Sequence, residues 1–269
     1  MSPDKDDKTA GEQHPNARGG ILTRAGGPSI AYHRSAGRLP GVVFLTGFMS
    51  DMAGHKALAL EAFCRARGHA FVRFDYRGHG ASEGAFEEAD IGTWFEDARA
   101  VLDALTEGPQ ILVGSSMGGW LMLLLAKARP ERVAGLVGIA AAPDFTEALR
   151  AWFSPDHHAE LAASGKVILP SQYGDQYVFT RRLLDAGAAH CVLSAPIAFD
   201  GPVRLIQGMR DDAVPYDTPL KIQAVLTSDD VEIILVKDGD HRLSRDQDLA
   251  RLTGVVGALL DRMAASPSR

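Results

Sequence analysis

Short apolar runs alternate with segments of helical periodicity through most of this chain, and that alternation restricts its fold more than any other feature. Residues 41–45, 70–74, 110–113, Val133–Ile139, 203–206 and Val231–Val236 each read as a buried strand, several of them rich in β-branched residues. Between them, residues 55–67 read as a helix stopped by Gly68. Trp94, Ala98, Val101 and Leu105 recur at helical spacing, with Thr93 and Glu96 set as a capping box. Met117–Ala128 is apolar on every side, as a covered central helix would be, and Leu249, Leu252, Val256, Leu259 and Met263 form one stripe of a last helix. Strand and helix in this order imply right-handed crossovers and a mostly parallel sheet with helices on both faces, an α/β fold. Residues 21–24 and 29–34 are expected to add an antiparallel hairpin at one edge.

The rhythm breaks at 144–201, where no buried parallel strand is evident. Phe145, Leu149, Trp152 and Phe153 fit one short helix, and residues 178–184 fit another. A stretch this long between two sheet strands reads as a small helical lid rather than a structureless loop. The expected organisation is a disordered tail over 1–19, a core built from 20–143 and 202–265, and the lid over 144–201. A chain of 269 residues with 46% apolar content is long enough for one such core.

Charge and composition remove several function classes. The 28 Lys and Arg against 34 Asp and Glu give −6, and the basic residues are scattered, so the basic face of a nucleic-acid binder is missing. The apolar run 133–143 is too short to cross about 30 Å of hydrocarbon. The first residues lack an apolar signal core and carry Asp4, Asp6, Asp7 and Glu12, which speaks against a secretory signal and against an acid-poor transit peptide. A cytoplasmic enzyme is the expectation. Cys64 and Cys191 exclude a disulfide framework and a four-thiolate zinc site; they are expected to be reduced and inert, a single disulfide being the alternative.

The chemistry concentrates in Gly114-Ser115-Ser116-Met117-Gly118. This is G-x-S-x-G between an expected strand and an expected helix, the context that a nucleophile elbow requires. The glycines let strand and helix approach closely, and the helix N-terminus favours negative charge developing at Ser116. Ser115 lacks the central position. A serine nucleophile needs a base, and the base needs an acid to orient it. Asp211 and Asp212, after the strand 203–206, are both available as the acid, and His241 follows the strand Val231–Val236. All lie at strand carboxyl ends, where open parallel sheets bind ligands. The two oxyanion donors are expected to be the backbone N–H groups of Met117 and of Phe48, the latter in the loop 46–49. His79 precedes Ser116 and is not placed to serve as its base; His157 and His158 read as solvated, and His14, His33, His55, His69 and His190 receive no role. Trp152 and Phe153 are expected to wall an apolar acyl pocket with Met49 opposite, the plain alternative being that the aromatics fill a core between lid and sheet.

From about Gly20 to the last helix these motifs resemble the α/β-hydrolase superfamily. Asp75-Tyr-Arg-Gly-His-Gly-Ala-Ser82 looks like the turn after that family's fourth strand. Gly208-Met-Arg-Asp-Asp-Ala-Val-Pro215 looks like its acid loop, in which the aspartate three past the glycine is used, and this selects Asp211. Longer phrases are similar to the group of palmitoyl-protein thioesterases and mycophenolic acid acyl-glucuronide esterases: Lys56-Ala-Leu-Ala, Phe63-Cys64, the run from Gly108 to Met122, His190-Cys191 and Asp240-His-Arg242. The resemblance implies a serine carboxylesterase or thioesterase with Ser116, Asp211 and His241 as its triad. The substrate would be a small-molecule ester or thioester, or an acylated protein, and the chemistry calls for no metal or cofactor. Thr46 departs from the His that many esterases of the superfamily carry in the oxyanion loop. An acyltransferase or carbon–carbon bond hydrolase on the same triad, or a slow-turnover ligand-binding receptor, shares the fold and is not separated by it. Oligomeric state is left open.

Overall fold

The computed structural model of the protein describes residues 17–170 and 176–265. In chain order its elements are β1 (Ala17–Arg24), β2 (Gly27–Ser35), β3 (Arg38–Leu45), α1 (His55–Ala66), β4 (His69–Phe74), α2 (Ile91–Leu105), β5 (Gln110–Ser115), α3 (Met117–Ala128) and β6 (Val133–Ile139). Then come α4 (Phe145–Trp152), α5 (Pro155–Ser164), β7 (Lys166–Pro170), β8 (Gln176–Thr180), α6 (Arg181–Ala189), β9 (Val203–Gly208), α7 (Thr218–Val225), β10 (Val231–Val236) and α8 (Asp246–Ala265). The main sheet has eight strands in the order β1-β2-β4-β3-β5-β6-β9-β10. It is parallel from β4 to β10, and β1 and β2 add the antiparallel edge.

Burial explains the composition of these elements. Every residue of β5 is buried, because the strand sits mid-sheet with both faces covered, and such strands read as unbroken apolar runs. On one face of the sheet, Trp94 and Trp120 pack with Leu112, Leu121 and Leu136 beneath α2 and α3. On the other, Ala57, Leu60 and Cys64 of α1 meet Val256 and Leu260 of α8. Both tryptophans are fully buried, so truncating either would cost about 3–5 kcal/mol. Cys64 and Cys191 are both free, and burial pushes the Cys64 thiol up to about 12.

Several expectations are corrected in detail. The first strand begins at Ala17, inside the tail expected over 1–19, because residues from Ala17 pair with β2; residues 1–16 lie outside the described residues. The capping box of α2 is Asp90 with Thr93, not Thr93 with Glu96. Asp90 Oδ1 accepts from Thr93 N at 2.9 Å and Asp90 N donates to Thr93 Oγ1 at 2.9 Å, so the helix starts a turn earlier. The helix expected over 178–184 is a strand followed by a helix. Tyr177 and Phe179 alternate on one face of β8, which pairs antiparallel with β7, and Thr180 caps α6 through Leu183 N at 3.0 Å.

The elements from α4 to α6 lie between β6 and β9 in the chain. Asp144 closes the base of this insertion: its carboxylate accepts from Val192 N at 2.8 Å and Leu193 N at 2.9 Å. Trp120 Nε1 donates to the His190 carbonyl at 3.0 Å, tying the insertion to α3. Among the described residues no helix is long and apolar enough to cross a membrane.

Candidate active site

Ser116 stands between β5 and α3 at φ 54° and ψ −121°, a conformation rarely open to an L-residue. Its surroundings hold it there. Ser116 N donates to Ile139 O at 3.0 Å, and its carbonyl accepts from Gly119 N at 2.8 Å and Ala142 N at 3.0 Å. A Cβ at Gly114 would collide with the Gly118 carbonyl, and one at Gly118 would collide with the Leu45 carbonyl. The G-x-S-x-G spacing is thus a packing requirement: helix, strand and the end of β3 meet where side chains do not fit.

His241 Nε2 lies 3.1 Å from Ser116 Oγ, and its Nδ1 lies 2.8 Å from Asp211 Oδ2. Asp211, rather than Asp212, is the acid brought to the imidazole. Its side chain is fully buried, and four donors surround it: His241, Ala213 N at 2.9 Å, Val214 N at 2.8 Å and Gln207 Nε2 at 2.9 Å. Burial works to raise the Asp211 carboxyl, but the hydrogen bond and charge of His241 and the two amides outweigh it and hold the group below its ordinary value. The acid and histidine loops are neighbours because β9 and β10 are; Arg210 N donates to Gly239 O at 2.9 Å. Lys56 on α1 donates to the Arg242 carbonyl at 2.5 Å, beside His241. Burial brings that ammonium down to about 8.

The loop 46–49 follows β3. A Cβ at Gly47 would stand 3.4 Å from Ser116 Cβ and 4.0 Å from Oγ, so this backbone passes directly beside the serine. Phe48 comes next, and Met117 opens α3, where first-turn amides have no partner within the helix. The Phe48 ring sits among five others. It stacks on Phe179 at 5.2 Å and 2°, and meets Phe86 (5.2 Å), Phe145 (5.7 Å), Trp94 (6.0 Å) and Tyr177 (6.1 Å). Phe145, Tyr177 and Phe179 belong to the insertion, which therefore packs directly on this loop.

The expected pocket wall is corrected by this packing. Trp152 is 62% exposed and stacks on His157 at 5.5 Å, while Phe153 is buried against His157 and His158. The stripe splits at its end: Phe145 and Leu149 pack against the core and Phe153 is buried in it, while Trp152, the last residue of the helix, turns out to solvent. Met49 lines a cavity of about 340 Å³ with Asp51, His79, Phe86, Glu87 and Val178.

Sequence reasoning gave no supporting role to Gln207, Lys56, Asp75 or His79, although it weighed His79 as a base and set it aside and placed Lys56 and Asp75 in resembling phrases. Asp75 joins two loops, accepting from Met52 N at 2.6 Å and Ala81 N at 2.8 Å. His79 is buried, and its Nε2 accepts from Met49 N at 3.2 Å. The available signal was the spacing of Asp75, Gly78, Gly80 and Ser82. A Cβ at Gly80 would strike the Asp75 carboxylate, and Ser82 Oγ donates to Asp75 O at 2.6 Å.

A family model described as serine aminopeptidase, S33, matches residues 40–173. Rat palmitoyl-protein thioesterase ABHD10 is 42% identical over 246 residues, covering 91% of this chain and 83% of that protein. The chain belongs to the α/β-hydrolase family of the ABHD10 proteins. It is thus an enzyme of the serine hydrolase kind, within the esterases and thioesterases. The solved structure of mouse alpha/beta hydrolase domain-containing protein 10 has a TM-score of 0.86 at 41% identity, covering 91% of this chain and 99% of the other. A solved protein from Agrobacterium vitis S4 has a TM-score of 0.85 at 42% identity, covering 90% and 98%. These family members share the mostly parallel sheet and flanking helices. The expectation of a cytoplasmic enzyme does not stand, because the rat, mouse, cattle and human relatives are all named mitochondrial. Acidic residues near the start of a chain do not by themselves fix a compartment.

Proposed function

We propose that the protein hydrolyses acyl esters or thioesters through an acyl-enzyme on Ser116. The observation that carries this is one imidazole bridging a serine hydroxyl at 3.1 Å and a buried carboxylate at 2.8 Å. His241 Nε2 takes the proton as Ser116 Oγ attacks the carbonyl carbon. Asp211 accepts from Nδ1–H, which keeps Nε2 free as the base and steadies the imidazolium. The amides of Phe48 and Met117 receive the oxyanion of the tetrahedral intermediate. His241 returns the proton to the departing alcohol or thiol, then activates the water that releases the acid.

In this reading residues 20–143 and 202–265 form the catalytic core, and 144–201 form a lid whose rings face the oxyanion loop. The rings of Phe48, Phe145, Tyr177 and Phe179 favour an apolar acyl group over a polar one. A fatty acyl thioester on protein suits the relatives' name, and this chain's substrate is taken to be of that acyl class.

Intact-mass analysis after fluorophosphonate treatment tests the nucleophile. One adduct is expected on the wild type and on Ser115→Ala, and none on Ser116→Ala. An adduct retained by Ser116→Ala would sink the assignment. Matched acyl esters and acyl thioesters of increasing chain length then measure which leaving group and acyl length give the highest kcat/KM.

A further inference from the structure

The loop 46–49 carries a backbone conformation that needs an external hold. Met49 has φ 52°, in the left-handed region that residues other than glycine seldom enter. Within the loop, Ser50 N donates to Gly47 O at 3.2 Å and closes a turn. The Phe48 ring anchors one side of the loop on the insertion, as described above. The other side is held by two side chains: Tyr76 Oη donates to the Thr46 carbonyl at 3.3 Å where the loop begins, and His79 Nε2 accepts the Met49 amide at 3.2 Å where it ends.

Everything around His79 fixes that acceptor. Its ring is caged edge-to-face by Phe86 at 5.1 Å, Trp94 at 5.1 Å and Tyr76 at 5.6 Å, so it cannot swing away. Its Nδ1 lies 3.3 Å from the Arg77 carbonyl, which can only accept, so the proton sits on Nδ1 and Nε2 is left bare. The Arg77 carbonyl is itself held, accepting from Trp94 Nε1 at 3.1 Å. Burial keeps the imidazole neutral by bringing it down to about 4, so the acceptor persists at any ordinary working pH.

We infer that His79 is a positioning residue for the oxyanion hole, its bare Nε2 pinning the Met49 amide so that the preceding Phe48 N–H stays aimed at the carbonyl oxygen beside Ser116. This rests on the reading of Phe48 as an oxyanion donor. It goes beyond that reading by assigning work to a histidine that touches neither substrate nor triad. A donor that drifts loses its effect on the transition state and little of its effect on ground-state binding.

The test compares His79→Phe, which fills the cage without an acceptor, with His79→Gln, whose Oε1 can reach the Met49 amide. With a p-nitrophenyl acyl ester, His79→Phe should lower kcat about 10–100-fold, with KM changed less than about threefold. A trifluoromethyl ketone, which forms a tetrahedral adduct on serine, should lose affinity by the same factor, and the product carboxylate should not. His79→Gln should recover most of kcat. An unchanged kcat in His79→Phe overturns the inference, as does an equal loss in both variants. Should His79→Phe fail to fold, nitrogen NMR of the wild-type imidazole decides: a proton on Nδ1 supports the inference and one on Nε2 overturns it. If fluorophosphonate labels no serine in the wild type, the functional reading fails separately, and the NMR result still stands or falls by itself.

Discussion

Ser116 holds strain and chemistry at one position. Its φ of 54° and ψ of −121° are costly for any residue with a Cβ, on the order of 1–3 kcal/mol, and the elbow's packing imposes them. Removing the hydroxyl and removing the strain are therefore separable. Ser116→Ala and Ser116→Gly should both lose about 10⁴–10⁶ in kcat, but the glycine variant should be more stable than the alanine variant by about 1 kcal/mol. Denaturant midpoints of the two check this, and equal midpoints would show that the surrounding fold imposes no strain. His79 gives a second residue-scale prediction. Its folded value, about 4, is below its ordinary 6.5, so in that window the unfolded chain takes up the proton first. Its contribution is fully present above pH 6.5 and is lost as pH falls toward 4, by up to about 1.4 kcal/mol per pH unit. Urea unfolding of wild type and His79→Phe at pH 7 and pH 5 should show the wild type losing more stability. Parallel losses would mean that the imidazole does not titrate between folded and unfolded chains as its burial requires.

Among the elements, the insertion between β6 and β9 behaves as a unit tied at both ends. Asp144 accepts the amides of Val192 and Leu193 from a left-handed backbone position at φ 57°, one that an aspartate tolerates better than most residues. Asp144→Ala would leave two amides without their carboxylate and should destabilise the protein by about 1–3 kcal/mol, while Asp144→Asn should lose less. Hydrogen exchange should show the first loss in α4 and α6, and uniform exchange throughout the sheet would argue against the insertion as a local unit. Trp152 lies at the opposite extreme. Being 62% exposed, stacked on the half-exposed His157 and tilted against Phe153 at 6.4 Å, it should tolerate Trp152→Ala with a stability change under about 1 kcal/mol. Its KM for long and short acyl esters should also stay unchanged. A KM rise confined to long chains would return Trp152 to the acyl pocket.

At the scale of the whole molecule, both faces of the sheet serve the site. The insertion covers one face above α2 and α3, and on the other α1 reaches the histidine loop through Lys56 and the Arg242 carbonyl, 186 residues apart. Burial brings Lys56 down to about 8, so burying this ammonium costs folding energy at neutral pH, while its hydrogen bond to the Arg242 carbonyl holds the loop. Lys56→Met should raise the melting temperature at pH 7 and lower kcat severalfold, because His241 loses part of its support. The stability gain should shrink between pH 8 and pH 10. There the unfolded wild type binds more protons than the folded form, and wild-type stability rises with pH. A variant less stable than wild type at pH 7 would show that the hydrogen bond outweighs the desolvation.

What the sequence determined by itself was whatever contiguous residues encode. The apolar runs became β3 to β6, β9 and β10, the all-apolar segment became α3, and Gly114 to Gly118 became the turn between strand and helix. Strand and helix periods, and the glycines of a tight turn, act over a few residues, so they are legible in one dimension. The order of Ser116, Asp211 and His241 was legible for the same reason, since each follows a recognisable strand. Tertiary structure decided the rest. His241 meets Ser116 across 125 residues; the residues alone left Asp211 and Asp212 both open, the resemblance of the acid loop pointed to Asp211, and the contact with the imidazole is made only by the folded chain. The end of β8 was read as the start of a helix over 178–184 because a short two-stranded pair is stabilised by rings far away in the chain, here Phe48, rather than by its own propensity. Trp152 sat on the expected apolar stripe and ended in solvent, because periodicity names a face and only packing decides how much of that face is covered.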